Sequence, residues 1–103
     1  MLSESQAISA FSALSQETRL AIVRLLVKAG NAGLPSGRLA EMLRVSAANM
    51  SFHLRQLEHA GLVQARRQSR SIIYTANYRD LGLLIRFLLE DCCGGDRRVK
   101  KCC

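Results

Sequence analysis

The first 91 residues contain no cysteine, so no disulfide holds the body of this chain together. Nor does any apolar run approach the roughly eighteen residues of a spanning helix. The start, "MLSESQAIS", lacks the basic-then-apolar layout of a signal peptide. Together these absences point to a cytoplasmic protein without a membrane partner. Acids are scarce too: 8 Asp and Glu against 15 Lys and Arg leave a formal net charge of +7, which favours a polyanion such as DNA or RNA. None interrupts Arg66, Arg67, Arg70 and Arg79 between Glu58 and Asp80. No Cys-x-x-Cys occurs, and no cysteine is expected on a loop beside a helix N-terminus, which argues against a thiol enzyme. Without repeats or low-complexity stretches, the 103 residues read as one small domain, 1–93, followed by a flexible basic tail, 94–103.

What is present is helical periodicity. In "SQAISAFSAL", Ile8, Phe11 and Leu14 recur every third residue, the mark of an amphipathic helix. "SQETRLAIVRLLVKAG" follows, with Ser15 expected as N-cap and Leu20, Ile22, Val23, Leu25 and Leu26 as a broad buried face. Ser36 opens a short helix with Leu39, Met42 and Leu43 inward. Ser46 caps a fourth helix with the stripe Met50, Leu54 and Leu57, and Gly61 supplies a left-handed stop. Two short helices joined by a tight turn make a helix-turn-helix candidate.

Past Gly61 the period changes to two. "LVQARR" and "SIIYTA" read as strands around "QSR", with Val63 and Ala65 expected opposite Ile73 and Thr75. A last helix, "YRDLGLLIRFLLEDCC", places Leu81, Leu84, Ile85 and Leu88 on one face until Gly94 and Gly95 end it. The fold class is thus mainly α with a β-hairpin wing: a winged helix-turn-helix of five helices. The first and last helices carry more apolar surface than a monomer of this size needs, which predicts a two-fold homodimer built from them.

The fourth helix carries the expected DNA-reading face. Ala47, Ala48, Ser51, Phe52 and Arg55 lie opposite the apolar stripe, and Asn49 and His53 complete the set. Small residues permit close approach, Ser51 offers a hydrogen bond, Phe52 suits a thymine methyl, and Arg55 suits a phosphate or guanine. Arg66, Arg67 and Arg70 on the wing add charge beside it.

"ALSQETRLAIVRLL" and "LAEMLRVSAANMSFHLRQLEHAGLVQARRQSRSIIY", with the leucine-rich helix that follows, resemble the ArsR/SmtB family of winged helix-turn-helix repressors over about residues 7–93. The resemblance implies a homodimer that occupies double-stranded operator DNA in its apo form, with no cofactor, and leaves when a metal or metalloid binds. Ser69 departs from the glycine such wings often carry. Known inducer sites at two other places in the family are absent here: "LPSGRLAEML" has no thiol and the last helix has no histidine.

All four cysteines, Cys92, Cys93, Cys102 and Cys103, fall in "EDCCGGDRRVKKCC". Thiolates are soft donors suited to thiophilic ions, and neighbouring Lys and Arg favour the thiolate form. The ending resembles that of arsenic-responsive members, which implies Cys92, Cys93 and Cys102 as ligands of trivalent arsenic or antimony. Cys103 stays open as a substitute, or as a fourth ligand for zinc, cadmium or lead. A thiol-redox sensor using the same cysteines is the remaining alternative.

Overall fold

The computed structural model describes residues 2–92 and Arg98. Five α-helices and a three-stranded antiparallel sheet form the body: α1 (Glu4–Leu14), α2 (Glu17–Ala29), β1 (Leu34–Pro35), α3 (Ser36–Leu43), α4 (Ala47–His59), β2 (Val63–Gln68), β3 (Ser71–Ala76) and α5 (Tyr78–Arg86). A 3₁₀ turn, Gly30–Ala32, links α2 to β1, and α5 runs on into a π-helical segment, Phe87–Cys92. The expected helical body with a β wing is therefore present. The stop expected at Gly94 and Gly95 lies outside the described residues.

Helices α1, α2, α4 and α5 each start at a side-chain cap, whereas α3 begins behind Pro35 without one. Ser3 and Gln6 form a reciprocal capping box on α1. The cap of α2 is Gln16, whose Oε1 accepts the Arg19 backbone N–H at 2.8 Å, and not Ser15 as expected. Ser15 is instead spent on the preceding helix, donating its hydroxyl to the Ser12 carbonyl at 2.7 Å. Ser46 caps α4 as expected, accepting the Asn49 N–H. The stop after α4 is a Schellman arrangement: the Leu62 N–H reaches the Leu57 carbonyl and the Gly61 N–H that of Glu58, with Gly61 at φ +81°.

The core is assembled from Ile22, Val23 and Leu26 of α2, Leu39 of α3, Met50, Leu54 and Leu57 of α4, Leu62, Val63 and Ala76 of the sheet, and Leu84 of α5. Helix α1 faces this core with Ala7, Ala10 and Ala13. Leu14 packs against the same core, whereas Ile8 and Phe11 are turned away, and Ile8 is 61% exposed. Leu20 and Met42, expected inward, are also exposed. Both sit on helices whose other apolar residues already fill the space available, so the periodicity overcounts the buried face.

The hairpin register differs from the expected one by a residue. Val63 pairs with Ala76, Ala65 with Tyr74 and Arg66 with Ile73, because Gln68 pairs with Ser71 and leaves a two-residue turn, Ser69 and Arg70. Strand β1 adds a third strand to the expected hairpin. It pairs Leu34 with Tyr74 and Pro35 with Ile73, giving the order β1-β3-β2. Gly33 makes this approach feasible: at φ +65° a Cβ there would lie 2.4 Å from the Tyr74 carbonyl oxygen.

Candidate nucleic-acid interface

Helices α3 and α4 are joined by a turn in which Arg44 adopts the left-handed conformation, φ 56°. Val45 closes it by donating its N–H to the Ala40 carbonyl at 3.0 Å. Leu39, Met50 and Leu54 are buried, so the two helices are fastened through their inner faces and the outer face of α4 is left to solvent.

On that outer face Ala47, Ala48, Asn49, Ser51, Phe52 and Arg55 are all exposed. The aromatic is the informative member, since Phe52 is 48% exposed on a helix with ample core positions elsewhere. Alanines at the helix start keep its end narrow, as close approach to base edges requires.

His53 stands at the border of this face. Its ring meets that of Phe52 edge-on, with centroids 5.9 Å apart. Its Nδ1 lies 3.3 Å from Nη1 of Arg19, whose Nε donates to the Ala13 carbonyl at 2.7 Å. A guanidinium has no acceptor, so Nδ1 must accept and the imidazole proton resides on Nε2. Burial, and secondly the Arg19 charge, hold the His53 pKa below its ordinary value, which keeps the ring neutral and Nδ1 able to accept. Sequence reasoning missed Arg19. A signal existed: an arginine in the first turn of a helix opposes the macrodipole and calls for a partner elsewhere.

The wing places Arg67 and Arg70 in solvent. Arg66 behaves differently, because its Nη1 donates to the Asn31 carbonyl at 2.8 Å and its Nη2 to the Ala32 carbonyl at 3.2 Å. Two further ties hold the wing root. The Asn77 side chain donates to the Gly61 carbonyl at 3.0 Å, and the Tyr78 hydroxyl donates to the Val27 carbonyl at 2.8 Å. The first joins the exit of β3 to the end of α4, so the hairpin and α4 share one support.

Of the cysteines, Cys92 closes the π-helical segment, and Cys93, Cys102 and Cys103 lie outside the described residues. Among the described residues no group of three or more His, Cys, Asp or Glu is placed to hold a metal ion. None of their helices is long and apolar enough to cross a membrane.

Residues 14–64 match a helix-turn-helix domain family. An uncharacterized HTH-type transcriptional regulator of Bacillus subtilis (strain 168), YceK, is 39% identical over 61 residues, 59% of this chain. That alignment spans 60% of the Bacillus protein. Among solved structures, an ArsR-like transcriptional regulator from Rhodococcus sp. RHA1 superimposes with a TM-score of 0.77 at 34% identity, covering 94% of this chain and 89% of the other. The homodimeric winged helix-turn-helix DNA-binding domain of a possible ArsR-family regulator from Mycobacterium bovis matches with a TM-score of 0.69 at 26% identity, covering 90% of this chain and 82% of that one. Sequence and fold agree over nearly the whole described chain, and the chain belongs to the ArsR family of winged helix-turn-helix transcriptional regulators.

Proposed function

We propose that the chain is a repressor that grips double-stranded operator DNA as an apo homodimer and lets go when trivalent arsenic, as arsenite or an organoarsenical, binds Cys92, Cys93 and Cys102, with Cys103 open as a substitute. Antimony(III) fits the same three thiolates. The observation that carries the DNA half is the solvent-facing set Ala48, Ser51, Phe52 and Arg55 on α4, flanked by Arg67 and Arg70 on the wing. Dimerisation is supported by outward large residues at the two ends of the chain's helical body, Ile8 and Phe11 on α1, Ile85 on α5 and Leu88 in the π-helical segment that continues it. It is supported also by the homodimeric state of the Mycobacterium bovis relative.

The inducer half rests on composition: every thiol of the chain falls within its last twelve residues, two of them directly after the helix that carries half of the proposed seam and two in the tail. Trivalent arsenic takes three thiolates in a pyramid, and closing a loop of this length between Cys93 and Cys102 is entropically cheap. Drawing the tail onto the end of the last helix alters that helix and with it the spacing of the two reading helices, which must lie about 34 Å apart on B-DNA. A differential affinity of a few kcal/mol between the two states suffices for release.

The test is release of reduced protein from a duplex selected out of a random library, titrated with arsenite, antimonite, zinc, cadmium and a thiol oxidant. Cys92→Ser, Cys93→Ser and Cys102→Ser are expected to abolish the response to arsenite. Release by zinc alone, or by the oxidant alone, would replace the metalloid with that inducer.

A further inference from the structure

We infer that Arg66, although exposed, is a positioning residue that sets the aim of the wing, unlike Arg67 and Arg70, for which the described residues show no such contact; this rests on the DNA-binding reading above. Its guanidinium fork engages two consecutive carbonyls, those of Asn31 and Ala32, across 35 and 34 residues of sequence. Those carbonyls belong to the 3₁₀ turn that prolongs α2. The C-terminal end of a helical segment gathers acceptors and negative partial charge, so a cation with paired donors is the complementary group there.

The topology makes this contact a strap. In the order β1-β3-β2, Arg66 starts from the outer strand β2, opposite Ile73 of β3, and reaches the turn that leads into the other outer strand, β1. The same turn is pressed against β3 at Gly33. One side chain therefore fastens the far strand of the wing to the end of α2. A two-stranded ribbon alone is marginal in water, and its direction depends on such fastenings. Among the described residues Arg67 and Arg70 have no such engagement, which leaves them available for phosphates.

The two roles separate by salt dependence. A lost phosphate contact lowers the slope of log affinity against log salt by about 0.9, whereas misaiming the wing weakens binding at unchanged charge pairing elsewhere. The full-length reduced protein and its Arg66→Ala, Arg66→Lys and Arg70→Ala variants are compared in duplex titrations across salt, and by amide hydrogen exchange without DNA. Arg66→Ala is expected to keep the wild-type slope with weaker binding. Its β2 and β3 amides should exchange roughly tenfold faster, the effect of losing a charge-assisted hydrogen bond. Arg66→Lys should resemble Arg66→Ala, because an ammonium keeps the charge and loses the fork. Arg70→Ala should lower the slope and leave exchange unchanged. The strap is overturned if Arg66→Ala lowers the slope as Arg70→Ala does, or if wing exchange is unaltered. A wild-type chain with no salt-dependent duplex binding would sink the functional reading, while the exchange comparison would still decide the strap.

Discussion

Ser69 and His53 show how single positions carry strain and charge state. Ser69 takes φ +57° as the first residue of the two-residue wing turn, a conformation that costs an L side chain about 1 kcal/mol and glycine little. Ser69→Gly should raise stability by about 0.5–1 kcal/mol in urea unfolding. The departure from glycine was legible in the sequence; the length of the turn was not, because "QSR" reads equally as two or three loop residues. At His53 the lowered pKa has a defined sign. Above the ordinary value of about 6.5 the ring is neutral in both folded and unfolded chains, and its contribution is complete. As pH falls below that value the unfolded chain takes up the proton first, so stability is lost down to the depressed folded pKa. His53→Gln, which keeps an acceptor for Arg19, should flatten that limb of the melting temperature against pH.

Among the elements, α4 was the most legible. Its cap at Ser46, its buried stripe and its Gly61 stop all follow from short-range rules, and each stands where the residues place it. Leu54→Ala should cost about 2–5 kcal/mol in denaturant titration, a large share of the 5–15 kcal/mol typical of such domains. The hairpin was legible as two strands but not in register, since Val63, Ala65, Ile73 and Thr75 alternate equally well in two alignments and only the turn decides. Strand β1 was illegible for a different reason. Two residues, one of them proline, carry no periodic signal, and the pairing depends on the space left at Gly33. The contacts of Arg19 and Arg66 bridge 34 or more residues, beyond the range of local patterns. The proposed role of the cysteines rests on sequence alone.

For the whole molecule, the apolar surplus of the terminal helices is the feature with the widest reach. Ile85 is 53% exposed and Ile8 more so, while the alanines of α1 and Leu84 of α5 already close the core. Ile8→Lys combined with Ile85→Lys should give a folded monomer by sedimentation, since exposed substitutions shift stability by only about 0.5 kcal/mol. The same variant should lose most of its duplex affinity, because two half-sites are then bound independently.

The alanine stripe of α1 also fixes a length. Ala7, Ala10 and Ala13 hold that helix against α2 and α4 with the smallest side chains that still pack. They act as shims between α4 and the outer face of α1, the surface proposed above to receive a second copy. Thickening one of them, as in Ala10→Val, would crowd the interior and, in the proposed dimer, push the two heads apart, so that operator spacing would be gauged in part by methyl groups far from the duplex.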